Sequence, residues 1–216
     1  SFVTEKGGTI TGSVRHPLAT TDFSSFLLQA QASGAKVVGL ASAGTDTQNA
    51  IKQAAEFGLT QAGQNLAGLL LMISDVHGLG LQAAQGLYLT ESYYWDRDDQ
   101  SRDFGNRYKE RTGAMPTMVQ AGTYSAVLSY LKAIEAAGSD DAAKVSEKLK
   151  GMTINDAFAR NATVAPNGRL MSDVFLMQVK SPEESKGEWD YYTVKATIPG
   201  DQAYLAADKS GCPLVK

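Results

Sequence analysis

Three short runs in this chain of 216 residues carry groups able to do chemistry. Ser42-Ala-Gly-Thr45 combines small residues with the start of a predicted helix, where exposed backbone N–H groups suit an anionic carboxylate. The same run also reads as a plain turn with Thr45 as a helix cap. Asp75 and His77 bracket a valine at a predicted strand end. They can hydrogen-bond the polar tip of a ligand or cap the short helix that follows Gly78. Tyr93-Tyr-Trp95 is the densest aromatic cluster. Large rigid faces suit the wall of a site for a flat ligand. Core packing claims at least one of the three, because sequence neighbours cannot all face one cavity. The candidate ligand contacts therefore lie within Ser42–Thr45, at Asp75 and His77, and within Tyr93–Trp95.

Catalytic signatures are scarce. There is no G-x-S-x-G elbow, no phosphate-binding P-loop and no H-E-x-x-H pair. His16 and His77 are the only histidines, too few for most histidine-rich metal sites. Gly78-Leu-Gly80 lacks the third glycine of a dinucleotide fingerprint. The expectation is a protein that binds without catalysis, with no cofactor and no metal. The formal net charge is -3 and the basic residues are scattered, so no nucleic acid is expected as a partner. The longest apolar run, Leu66 to Ile73, suits a strand and not a membrane span. The first residues, Ser1-Phe-Val-Thr-Glu-Lys, lack the charged and apolar regions of a signal peptide. Cys212 is the only cysteine and has no partner within the chain.

The elements that must hold these runs follow from periodicity. Phe23, Phe26, Leu27 and Ala30 fall on one helical face behind Asp22, an acidic N-terminal signal, and Gly34 stops the helix. A second helix spans about Thr45 to Phe57, with Ala50, Ile51, Ala54 and Phe57 on one side. Short strands are expected at Thr9–Val14, Lys36–Ala41, Leu66–Ile73 and Gly86–Thr90, with a short helix near Leu81–Gln85. Helices follow at about Gln100–Thr112, Thr117–Ala137 and Asp141–Lys150. The long one should turn Ala121, Tyr124, Val127, Leu128, Leu131 and Ile134 inward. Asp173–Val179 and Tyr191–Thr197 close the chain as strands, separated by a polar loop. The alternation of strand and helix implies an α/β fold with parallel sheets flanked by helices. Ligands of such sheets bind outside the carboxyl ends of the strands. That singles out the loops Arg15–Thr21, Ser42–Thr45 and Ser74–Gly80.

Four strings go further: HPLATTDFSSFLLQAQASGAKVVGLA, NAIKQAAEFGL, ISDVHGLGLQAAQGLYLTESYYWD and the final CPLVK. Together they resemble the periplasmic solute-binding proteins of ABC importers with the type I fold, in the branch for branched-chain amino acids, amides and aromatic acids. The resemblance implies two α/β lobes joined by three crossing strands, closing by a hinge on a solute, with the N-terminal part missing here. It assigns residues 1–87 to the second lobe, 88–170 to the first, and 171–216 to a return to the second lobe and a C-terminal tail. Ser42, Gly44, Asp75, His77, Tyr94 and Trp95 are the contacts it leaves within this chain. The implied partners are a small-molecule solute and an ABC permease in the inner membrane, and the implied location is periplasmic. The aromatic cluster and the strings favour an aromatic acid. Amides and branched-chain amino acids stay open, with Asp75 available to an α-amino group. The alternative is a ligand-sensing domain of a receptor or regulator.

Overall fold

The computed structural model describes residues 2–213 and 215. One turn of helix α1 (Phe2–Glu5) leads into a stretch with no regular element until α2 (Ser24–Ala32). Then come β1 (Val37–Leu40), α3 (Gly44–Glu56), β2 (Asn65–Gly68), α4 (Ile73–Leu79), α5 (Leu81–Ala84) and β3 (Tyr88–Glu91). A helical stretch follows: α6 (Asp99–Thr112), α7 (Met118–Ala137) and α8 (Ala142–Leu149). Short strands β4 (Thr153–Ile154), β5 (Ala162–Val164) and β6 (Leu170–Met171) precede the longer β7 (Val174–Val179) and β8 (Tyr192–Ile198). The chain ends in α9 (Gly200–Ala203) and a single 3₁₀ turn at Ala207–Lys209.

Two compact units result: residues 1–90 with 177–193, and residues 91–176 with 194–216. The boundary falls inside β3, β7 and β8, so three strands carry the chain from one unit to the other. The expected return of the whole tail 171–216 to the first segment does not occur. Only 177–193 group with residues 1–90, because β8 continues past Thr193 into the second unit.

In the first unit, β1, β2 and β3 run parallel, with Val37 beside Asn65 and Ala67 beside Tyr88. The sheet order is β1-β2-β3-β7-β8. Parallel neighbours need a crossover, and α3 and then α4–α5 provide the two between β1 and β3. Ile51, Ala54, Leu59, Leu66, Ile73, Val76, Leu87, Leu89, Met177 and Val179 are buried there. Phe23 and Leu27 anchor α2 as the spacing predicts, although Asp22 sits one residue ahead of the cap position, where its Oδ1 accepts the Ser24 N–H (2.9 Å). Two expectations fail. Thr9–Val14 forms no strand: it is exposed and without regular structure, and a strand exists only beside a neighbour that takes up its N–H and C=O groups. Leu66–Ile73 is not one strand either. Asp75 Oδ2 accepts the Met72 N–H (2.9 Å), which starts α4 at Ile73 and leaves Leu69 and Leu70 in an exposed turn.

The second unit packs α6, α7 and α8 with an antiparallel sheet of order β4-β5-β6. Tyr93, Phe104 and Ala121 form one buried cluster, covered by Trp95, Met118, Ala157 and Phe158. On α7 the buried residues are Ala121, Ser125, Ser129 and Ala133. Tyr124, Val127 and Leu131, expected inside, lie on the exposed side. Small residues at four-residue spacing let neighbouring chain approach α7 closely, and the larger apolar residues then face outward.

Candidate functional site

The N-terminus of α3 is the best-built candidate. Its cap position, Ala43, is extended and offers no side-chain hydrogen bond, and Gly44 opens the helix at φ +57°. A left-handed residue there favours glycine, and Gly44 is exposed with its backbone at the surface. Ser42 lies just before it and accepts a hydrogen bond from the Thr47 hydroxyl (3.0 Å). Asp46, Asn49 and Gln53 follow on one face of α3, and they tie down the loop after the expected first strand. Asp46 Oδ2 accepts the Ala19 N–H (3.1 Å), and Asn49 Nδ2 donates to Thr20 O (3.5 Å). Gln53 Oε1 accepts the Phe23 N–H (2.7 Å) while its Nε2 donates to Thr21 O (2.8 Å). A cleft of about 420 Å³ lies between that loop and the helix start, lined by Ala19, Thr20, Thr21, Ala43, Thr45, Asp46 and Asn49. Two of the three loops singled out from the sequence thus come together. Asp46 escaped the sequence reading, although its spacing with Asn49 and Gln53 was the available signal.

Asp75 lies beside this region but has structural duties. One oxygen accepts the Met72 N–H and the other accepts Gln48 Nε2 (2.9 Å), which couples α4 to α3. His77 points elsewhere. Its ring stacks on Trp189 at a centroid distance of 4.0 Å and an interplanar angle of 6°, with Nδ1 2.8 Å from the Tyr191 hydroxyl. So in the first unit Ser42, Gly44 and Asp75 lie on elements tied together by Gln48, and the His77 ring is taken up by the loop between β7 and β8.

The aromatic run belongs to the second unit. Tyr93 is fully buried and donates its hydroxyl to Ser101 O (3.0 Å), and burial pushes its phenol pKa up. It is the member claimed by the core. Tyr94 is also buried, and Trp95 is half-buried with its ring 6.1 Å from that of Tyr94.

Directly after it, Asp98 gathers two arginines. Its Oδ1 accepts Arg160 Nη2 (2.6 Å) and the Ser101 N–H (2.8 Å), and its Oδ2 accepts Arg97 Nε (3.3 Å). Burial works to raise the Asp98 pKa, but the Ser101 hydrogen bonds and the two guanidinium groups outweigh it and hold the carboxyl below its usual range. Burial lowers the Arg97 pKa, and its guanidinium sits 5.0 Å from the Phe175 ring centre. The residues line a cleft of about 240 Å³. Read as sequence, Asp96-Arg-Asp-Asp was only a charged helix start; Arg160 stands 62 residues from Asp98.

Residues 1–188 match the periplasmic binding protein family. The chain belongs to that family. A periplasmic binding protein from Burkholderia mallei has 52% identity and a TM-score of 0.91, over 99% of this chain and 56% of that one. A branched chain amino acid ABC transporter periplasmic ligand-binding protein from Burkholderia xenovorans LB400 has 46% identity and a TM-score of 0.90, over 99% of this chain and 57% of that one. Among curated relatives, Leu/Ile/Val-binding protein homolog 6 of Brucella melitensis is 33% identical over 156 residues, 69% of this chain and 40% of the relative. At 25% identity and a TM-score of 0.78, an ABC transporter solute binding protein from Rhodopseudomonas palustris HaA2 was solved with p-hydroxybenzoic acid, over 91% of this chain and 54% of that one. The chain therefore spans about half the length of the proteins it matches. The type I periplasmic binding protein fold expected from its sequence is the fold it has. No described helix is long and apolar enough to cross a membrane.

Proposed function

We propose that the chain is part of an extracytoplasmic solute-binding protein that delivers a small carboxylate, an aromatic acid, to an ABC permease in the inner membrane. Family membership supports receptor function, and the observation that carries the ligand class is the uncapped start of α3 at Ala43-Gly44-Thr45, open to a cleft. Backbone N–H groups there suit a carboxylate, and the helix dipole adds to the attraction. Tyr94 and Trp95 are the proposed aromatic contacts, and Ser42, Gly44, Asp75 and His77 the proposed polar ones. His77 would act through its ring edge, since Trp189 takes one face.

Asp46 favours a second reading. A buried carboxylate in the cleft supplies a counter-charge for an α-amino group, as a branched-chain amino acid would need. The deciding experiment titrates the protein with p-hydroxybenzoate and, separately, L-leucine, following backbone amide shifts. p-Hydroxybenzoate should move the Gly44 and Thr45 amides and raise the melting temperature. A response to leucine alone, abolished by Asp46→Asn, would replace the aromatic acid with an amino acid. Silence at those amides with every acid tried would overturn the site.

A further inference from the structure

Of the residues lining the cleft at the start of α3, only Asp46 is ionisable. It is 8% exposed, and its Oδ2 accepts the Ala19 N–H (3.1 Å). Among the described residues nothing hydrogen-bonds its Oδ1, so a buried carboxylate keeps one oxygen for the cleft. That places negative charge beside the open N–H groups of Gly44 and Thr45. It offsets the pull of the helix dipole on a carboxylate and repels the anion itself. Such a cleft takes an acid well only if something answers the Asp46 charge.

His16 is the group placed to do so. Its Nδ1 stands 4.0 Å from Asp46 Oδ2. The same Nδ1 lies 2.8 Å from Pro17 O. A carbonyl oxygen only accepts, so Nδ1 carries a proton even in the neutral ring, and Nε2 is the nitrogen that gains or loses one. Histidine is the side chain whose charge ordinarily changes between about pH 5 and pH 8.

Among the described residues, no other charge is paired with this ring. At the start of α2 it meets Phe23 edge-on, with ring centres 4.9 Å apart, and Phe26 at 6.1 Å. From α3 it meets Asp46. Arg15, next to it in the chain, is exposed and makes no ion pair among the described residues. Asp22 turns its Oδ1 to the Ser24 N–H. Only 22% of the His16 side chain is exposed, so salt screens its pairing with Asp46 less than it screens a surface pair.

We propose that His16 is a specificity determinant of this cleft. Protonated, it neutralises Asp46 and admits a solute whose only charge is a carboxylate. Neutral, it leaves Asp46 to the ammonium group of an amino acid. The two solute classes therefore have opposite pH profiles. An aromatic acid binds more tightly as the pH falls, because its binding and the His16 proton favour one another. An amino acid binds more tightly as the pH rises, because its ammonium group and the imidazolium compete for one carboxylate. The proposal rests on the reading of this cleft as the solute site.

The test measures dissociation constants of p-hydroxybenzoate and L-leucine by calorimetry at about pH 5.5 and about pH 8, across the histidine range. It compares wild type, His16→Gln and Asp46→Asn. In wild type, p-hydroxybenzoate should bind at least roughly fivefold more tightly at the lower pH, and any leucine binding should change the other way. His16→Gln should flatten both profiles at their values for the higher pH. Asp46→Asn keeps an acceptor for the Ala19 N–H. It should flatten the p-hydroxybenzoate profile at the tighter value and remove leucine binding. A variant that merely loosened the loop would weaken the acid at both pH values and keep the pH dependence. Equal affinity at both pH values in wild type, or a profile that survives His16→Gln, would overturn this proposal and leave the site standing. Failure of both solutes to bind at either pH would overturn the site and the proposal together.

Discussion

Asp98 serves two structures at once. It is the N-cap of α6, through the Ser101 N–H, and the shared anion of Arg97 and Arg160. Two substitutions separate these roles. Asp98→Asn keeps a good capping side chain and removes the charge. Asp98→Ala removes both. At pH 7 the asparagine variant should lose about 1 kcal/mol, near the low end for charge-assisted bonds because the side chain is partly in water. The alanine variant should lose roughly 1 kcal/mol more for the missing cap. The acid dependence has a definite sign. A carboxyl held below its usual range when folded stabilises the protein above the unfolded-state pKa, about 4, and loses that contribution as the pH falls through the folded value. Urea midpoints of wild type and Asp98→Asn should therefore converge between pH 5 and pH 2. A gap that persists at pH 2 would assign the loss to packing. None of this was legible in the sequence, which gives the charges but not the fold that brings Arg160 back to the start of α6. The same holds for the stacking of His77 on Trp189, because 112 residues separate the two rings in the sequence.

At the scale of the element, local patterns were read well where one helix face is covered and the other is not. Phe23 at the cap of α2, Leu27 within it, and Ala50, Ile51 and Ala54 of α3 are buried as their spacing predicts. The pattern failed where small residues make the contact. α7 buries Ala121, Ser125, Ser129 and Ala133, and a hydropathy reading assigns such residues no weight against Tyr124, Val127 and Leu131. Thr9–Val14 failed for another reason: a strand is a property of two segments, and composition reports only one. The helix contrast is measurable. Leu27→Ala removes a side chain 3% exposed and should cost about 2–5 kcal/mol. Leu131→Ala removes one that is 56% exposed and should stay within about 0.5 kcal/mol. Equal losses in denaturant unfolding would restore the expected inner face of α7.

Across the whole molecule, the way the chain divides makes the first unit depend on residues far along the sequence. Residues 1–90 hold β1, β2 and all but the last residue of β3, but the sheet order sets β7 next to β3. Gly86 N–H donates to Val179 O and Val179 N–H donates to Leu87 O, both at 2.9 Å. Met177, Val179 and Trp189 are at most 3% exposed. Burying each such side chain contributes about 1.5–3 kcal/mol, so the three together reach roughly 5–9 kcal/mol. That is comparable to the entire stability of an ordinary domain, about 5–15 kcal/mol. A polypeptide cut after Thr90 should therefore fail to fold, although the cut falls at a boundary between units and removes no residue of α2, α3 or α4. Collapsed amide dispersion and a flat near-ultraviolet spectrum are the expected result. A cooperative unfolding transition in the 1–90 piece would mean that the helices over β1–β3 suffice, and that the strands returning from the second unit only decorate the first.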